Sequence, residues 1–473
     1  MSDWDNNNET LRGGACSALT AALVLFSSLA AVSSSILGVE ASSVSSMDIS
    51  PAWSGHPVGF CLLTHKERQF VAFYDADRVM TVAQRRLDQD KFTLIRLDQK
   101  VVWDSHNYIT MTVDDDGLLH LAGNMHCVPL IYYRSEKPLD ASTLKRVPQM
   151  VGPNEKRCTY PRFLRGARNE LLFTYRDGSS GNGNQICNVW DQATRTWKRL
   201  IQTPLTDGQR KMNAYFHGPV RGPDGFFHLC WVWRDHGGCE SNHDLSYARS
   251  TDLIHWQTSQ GKPLTLPLTL TGSEIVDPVP AKGGIINGNA TIGFDSRGRV
   301  LISYHKYDAA GKTQVYVARP DKDGWLIRQV TNWDWRWDFS GGGSIHFAVR
   351  VGSVQPAGTG LLALTYGHDR YGSGNVFLDE STLQPAPQAK PARDKTKIRP
   401  AYPPGSGKPE QDFPGLQVRW RDDSGSAADG LRYVLRWETL GPNRDRAVKP
   451  PLPKPSMLRL YRLPHAPLSQ AGS

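Results

Sequence analysis

Six stretches of this 473-residue chain share one pattern of polar and apolar positions. A Gly- or Asp-bearing turn leads into, or closes, a run of alternating apolar residues. The copies are "RQFVAFYDADR", "DDDGLLHLAGN", "RNELLFTYRDG", "PDGFFHLCWVWRD", "DSRGRVLISYHKYD" and "GTGLLALTYGHD". Their apolar runs start near residues 70, 119, 171, 227, 300 and 361, at intervals of about 49 to 73 residues. Partner runs follow in "LIYYRS", "QICNVWDQATRTW", "LSYARSTDLIHW" and "TQVYVARPDKDGW". Period-two alternation between closely spaced turns predicts strands, and no long amphipathic helix interrupts them. Short antiparallel units repeated at this spacing predict blades around a central axis.

The expected fold is therefore all-β, a seven-bladed β-propeller. Its blades occupy residues 50–385. A Pro-rich, charged linker covers 386–415, and strands within 416–464 ("GLRYVLRWETLGPNRD", "SMLRLYRLP") complete the ring. Ring closure removes exposed sheet edges. In "FFHLCWVWRD", Phe227, Leu229, Trp231 and Trp233 share one face, and His228, Cys230, Val232 and Arg234 the other. Residues 1–41 differ from the rest. A polar start precedes the apolar "ACSALTAALVLFSSLAAVSSSIL", and "VEA" before Ser42 has small-x-small character. This predicts an export signal or N-terminal anchor, hence a secreted or periplasmic protein.

The formal net charge of +9 points to a polyanionic partner. No Lys/Arg block or nucleic-acid motif is present. An anionic polysaccharide is thus expected, with no nucleic acid and no integral membrane role beyond the anchor, and a monomeric chain. The seven cysteines have no CxxC spacing and are expected to be buried free thiols.

"STDLIHW" (Ser250 to Trp256) resembles a degenerate Asp-box turn. The ordered series "HNYITMTVDDDGLLHL", "MHCVPLIYYRS", "TYPRF", "LLFTYRDGSSGNGNQICNVWD" and "NAYFHGPVRGPDGFFHLCWVWRD" resembles the BNR-repeat family that includes ulvan lyases and rhamnosyl-glucuronate lyases. The resemblance covers roughly residues 55 to 385. It implies a seven-bladed propeller that cleaves uronate glycans by β-elimination, and it places His106, His126, Tyr160 and Arg176 in the active site.

β-Elimination needs the carboxylate neutralised, a base for the C5 proton and an acid for the leaving O4. Arg binds a carboxylate bidentately and stays charged, while His and Tyr can exchange protons. His106 and His126 bracket one expected hairpin, so both ends can reach one rim. Tyr160 precedes Pro161, which favours extended backbone. Arg234 ends its run where Arg176 ends the preceding one, so both arginines should face one place. Tyr215, His217, Arg234, Asn124 and His305 are candidate substrate-binding residues. The Trp-rich "NWDWRWDFSGGG" (Asn332 to Gly343) is either a sugar-stacking loop or packing between blades.

"RDHGGCESNH" offers His236, Cys239 and His243 as metal ligands. The resemblance implies a structural zinc there, with the fourth ligand open. Two other activities fit the scaffold: a glycoside hydrolase of the α-L-rhamnosidase type, and a non-catalytic glycan-binding propeller. A sialidase is disfavoured, because no "FRIP"-like motif or series of clean Asp-boxes is present.

Overall fold

The computed structural model describes residues 44–386, 402–403 and 406–463. The expected leader, 1–41, and part of the expected linker lie outside the described residues. Every long element is a strand, and the strands form seven small sheets in a propeller-like succession. Six of them follow the repeats. The six apolar runs form the second strand of each: Arg68–Tyr74, Leu119–Gly123, Leu171–Ser179, Phe227–Arg234, Val300–Tyr307 and Leu361–His368. Their first strands are Cys61–Lys66, Ile109–Val113, Cys158–Arg165, Asn213–Arg221, Thr291–Phe294 and Val349–Gly358. Each first strand pairs antiparallel with its second.

The seventh sheet joins the two ends of the described chain. Leu416–Asp422, Arg432–Leu440 and Ser456–Leu463 pair in series, and Ser45–Ala52 adds the outermost strand. The short Ser426–Ala427 strand lies parallel to Cys61–Lys66 of the first sheet.

Apolar faces pack between successive sheets. In Phe227–Arg234 all eight residues are buried. Phe227, Leu229, Trp231 and Trp233 pack with Leu172 and Cys187 of the third sheet. Cys230 and Val232 pack with Ile292 and Tyr304 of the fifth. A strand sandwiched this way loses both faces from water, so its alternation is one of packing partner rather than of exposure. The segment entering the sixth sheet also meets the loop between Arg432–Leu440 and Ser456–Leu463 of the seventh, where the Arg444 backbone N–H donates to the Ser344 carbonyl at 2.9 Å.

Aspartates hold the turns. Asp75, Asp114, Asp295 and Asp308 each accept backbone N–H bonds from positions i+2 and i+4. The Asp-box resemblance holds in geometry: Asp252 caps the N–H groups of Ile254 and His255, and Trp256 is buried below. The six described cysteines are free, and all but Cys127 are buried. Among the described residues no helix is long and apolar enough to cross a membrane.

Candidate active site

First strands begin where second strands end, so both kinds of terminus gather at one end of each sheet. Thr159 faces Arg176 across the third sheet, and Asn213 faces Arg234 across the fourth. The two arginines therefore hold equivalent register positions. Ile109 likewise faces Gly123, which brings the segments before and after that hairpin together.

His106 lies in a single 3-10 turn, Ser105–Asn107, ahead of the hairpin. His126 leaves the hairpin and starts a short strand, His126–Val128, that pairs with the third sheet. Their rings stack with centroids 4.0 Å apart and planes 19° from parallel. One carboxylate holds both: Asp104 Oδ1 is 2.6 Å from His106 Nδ1, and Oδ2 is 2.5 Å from His126 Nδ1. Asp104 also caps the turn by accepting the His106 backbone N–H at 2.9 Å. Burial alone would raise the Asp104 carboxyl, but the two histidine bonds outweigh it and hold it well below the usual carboxylate range. With Nδ1 of each ring directed at Asp104, Nε2 is the nitrogen that remains to accept in a neutral ring.

Tyr160 stands next to the pair, its ring centroid 5.6 Å from that of His106. Its φ is +59°, left-handed rather than the extended backbone expected before proline. The strand shifts register between Thr159 and Arg162, and this bulge re-aims the ring. Asn124 and Cys127, in the same neighbourhood, also have positive φ. Strained backbone concentrates at functional sites. Burial pushes the Tyr160 phenol up, as does Tyr215, while Arg176 and Arg234 oppose the rise. Its hydroxyl thus keeps its proton at neutral pH.

Arg176 is only 2% exposed. Its guanidinium lies over the Tyr160 ring at 4.9 Å and donates to Thr159 Oγ1 at 3.0 Å, Tyr215 Oη at 3.3 Å and Cys127 Sγ at 3.4 Å. No carboxylate pairs with it among the described residues, and its Nε has no hydrogen-bond partner. Gly183 permits this approach, since a Cβ there would meet Asn213 Oδ1 at 2.3 Å and Arg176 Cδ at 2.8 Å. Tyr215 completes the group, 5.9 Å from Tyr160 and hydrogen-bonded to Ser180 Oγ. A cavity of about 300 Å³ opens here. Tyr108, Tyr160, Arg162, Arg176, Tyr215 and Asn287 line it together with apolar residues such as Leu172 and Leu229, while His106 and His126 stand outside its wall.

The other expected residues are placed differently. Arg234 lies over Tyr215 at 5.5 Å, but its donors go to the carbonyls of His236, Gly237 and Gly238 and to Asn287 Oδ1. It clamps a loop. His217 makes no hydrogen bond or ring contact with the group, and burial lowers its pKa. Asn124 turns its amide to Gln99 and the Lys100 carbonyl. His305, expected to bind substrate, is 1% exposed and packed against Trp337 and Phe339. The Trp-rich segment packs likewise, with Trp333 and Trp335 against His368. Asp104, Tyr108 and Cys127 were not singled out from the sequence. Asp104 alone had a local signal, as a capping residue two positions before His106.

Two of the residues expected to hold zinc have other hydrogen-bond partners in this structure. His243 bonds Asp244 through Nδ1 at 2.8 Å and Asp235 through Nε2 at 3.1 Å. Burial lowers its pKa, but the two aspartates outweigh it and raise it, and both ring nitrogens are already engaged. His236 Nδ1 accepts the Gly238 N–H at 3.0 Å. Among the described residues the cluster with donor atoms close enough for a metal is Asp104, His106 and His126. Its contacts of 2.5 and 2.6 Å are hydrogen-bond lengths. Ligand atoms around a tetrahedral zinc stand roughly 3.3 Å apart.

Comparisons with known proteins agree with this architecture. A 124-residue segment is 26% identical to an ulvan lyase, long isoform, of Pseudoalteromonas sp. (strain PLSV). That match covers 24% of this chain and only 12% of the relative. The fold is similar to the crystal structure of polysaccharide lyase Uly1, with TM-score 0.53 and 14% identity over 88% of this chain and 92% of that one. It is equally similar to a PL25 ulvan lyase solved with -[GlcA(1-4)Rha3S]- bound, with TM-score 0.53 and 11% identity over 88% and 95%. At such identities the likeness concerns the fold. The BNR repeat-containing family matches residues 68–333, more than half of the sequence and all of the histidine–tyrosine–arginine group, and the chain belongs to that family.

Proposed function

We propose that the chain is a secreted or periplasmic polysaccharide lyase. It cleaves a uronate-containing glycan, ulvan-like or rhamnosyl-glucuronate, by β-elimination. The observation that carries this reading is Arg176, a buried guanidinium without an acid partner beside two tyrosines and two histidines. A buried charge is costly unless paired, so such a site favours a ligand that brings the anion.

In the reaction, Arg176 binds the uronate carboxylate and makes the C5 proton more acidic. Nε2 of His106 or His126 takes that proton, and Asp104 stabilises the imidazolium formed. The electron pair forms the C4–C5 double bond, the C4–O4 bond breaks, and Tyr160 Oη protonates the leaving O4. Tyr160 suits the acid role because burial keeps its proton on. Tyr215 and Arg234 hold Arg176 and the adjoining loop in place.

We also read the seven sheets as blades closed into a ring. Support comes from Ser45–Ala52 completing the last sheet and from the Arg444–Ser344 contact. The activity test is incubation with a panel of uronate glycans, following the far-ultraviolet absorbance of the unsaturated uronate. Absorbance should rise without incorporation of solvent oxygen. Cleavage with oxygen-18 incorporation, or tight binding without cleavage, would refute the lyase reading.

A further inference from the structure

A second cavity, of about 340 Å³, lies where the seventh sheet meets the first. Its wall includes Gly59, Ser105, Ser344, Arg419, Arg421 and Trp437. It adjoins the candidate site: Ser105 shares a turn with His106. A Cβ on Gly59 would stand 3.1 Å from the Cβ of Tyr108, which lines the first cavity. Gly59 of one wall and Tyr108 of the other thus pack side by side.

The wall is cationic and rich in donors. Arg419 and Arg421 alternate on Leu416–Asp422 and so share a face. Among the described residues neither pairs with a carboxylate, and Arg419 has one side-chain bond, from Nη2 to Gln417 Oε1 at 3.0 Å. The neighbouring acids are engaged: Asp422 bonds Arg432, and Asp423 accepts the N–H groups of Thr64 and Gly425. Arg419 Nε and Trp437 Nε1 are buried without hydrogen-bond partners, while the Ser344 hydroxyl stands by the Asp445 carboxylate. Trp437 is 4% exposed, its ring stacked on Phe60 at 4.6 Å. Both atoms can donate. The acid behind the wall, Asp445, already accepts from Ser105 N at 3.0 Å, Ser344 N at 2.8 Å and His56 Nε2 at 3.0 Å. Unsatisfied donors beside two unpaired guanidinium groups suit an oxyanion. Arg419, Arg421 and Trp437 lie beyond residues 68–333, the region matched by the family.

We propose that this cavity is an anion subsite. It seats a sulfate ester or a second carboxylate on the sugar next to the one held at Arg176. The assignment of the anion to a glycan rests on the lyase reading above; the anion site itself does not.

Two measurements on the full chain test it, using the Arg419→Gln/Arg421→Gln double variant and the milder Trp437→Phe. In the first, thermal unfolding is followed against inorganic sulfate, with chloride at matched ionic strength as control. Sulfate should raise the wild-type Tm along a saturating curve, as a ligand of the native state does. The saturating rise should shrink in the double variant to what sulfate at Arg176 contributes, and weaken in Trp437→Phe; a saturating rise equal in all three proteins overturns the proposal. A merely salting-out effect would be unsaturated and equal in all three proteins, which overturns the proposal. In the second, kcat/KM is compared on a sulfated uronate glycan and its desulfated form. The double variant should lower the sulfated-to-desulfated ratio roughly tenfold, the worth of one charged hydrogen bond. An equal loss on both forms assigns the subsite to a carboxylate, and no loss on either overturns it. Saturable sulfate binding that the double variant diminishes, in a wild type that yields no unsaturated product, leaves the subsite standing and removes the lyase reading.

Discussion

His305 offers the sharpest test of the packing described here. The residue is fully enclosed, its ring against Trp337 and Phe339, and both ring nitrogens are buried without a well-formed hydrogen bond. Burial pulls its pKa down from 6.5 to about 3, only partly offset by the Gly284 backbone. The unfolded chain therefore takes up this proton at higher pH than the native one. Stability contributed by the neutral ring is fully present above about pH 6.5 and is lost as pH falls toward 3. At about 1.4 kcal/mol per pH unit, the loss from this group is ~2 kcal/mol at pH 5 and approaches ~5 kcal/mol near pH 3. The perturbation is His305→Leu, which keeps the volume and removes the titration. Chemical denaturation of both proteins at pH 7 and pH 5 gives the difference directly. Wild type should lose ~2 kcal/mol more than the variant over that interval. Aspartates with depressed pKa, such as Asp104 and Asp445, titrate lower and are common to both proteins, so they cancel. Identical pH dependence in the two proteins would refute the burial argument. A raised KM with unchanged pH dependence would restore His305 to the substrate-binding residues.

Asp104→Asn should lower kcat by roughly 10²- to 10⁴-fold with little change in KM, because a neutral amide cannot fix both imidazoles with Nδ1 protonated or stabilise the imidazolium. Steady-state kinetics with circular dichroism as a folding control checks this. Arg176→Met should abolish turnover yet hold or raise Tm, since the buried, unpaired cation is removed from the native state. A lower Tm would mean that its bonds to Thr159 and Tyr215 are structural instead. Chelation by EDTA should leave Tm and activity unchanged, and elemental analysis should find less than one zinc per chain. A stoichiometric zinc lost together with stability would reinstate His236, Cys239 and His243.

The repeated alternation of apolar residues, by itself, located the second strand of six sheets, because period-two burial is written in neighbouring residues and needs no knowledge of the fold. The same repetition gave the equivalence of Arg176 and Arg234, since like positions in like hairpins share a register. It also marked His106 and His126 as two ends of one hairpin. What each residue does there was decided only in three dimensions. Arg176 and Arg234 are equivalent in register, yet one meets no acid and the other clamps three carbonyls. His305 reads like a rim residue until Trp337 and Phe339 close over it. Tyr160 takes a left-handed backbone that its following proline disfavours, because the bulge in its strand requires it. Asp445 reaches Ser105 from 340 residues away, and Ser45–Ala52 pairs with Ser456–Leu463 across nearly the whole sequence. Local pattern encodes which face of a strand is apolar. The partner of a buried charge or ring comes from whichever distant segment the packed sheets bring within a few ångströms, and that no short stretch of sequence contains.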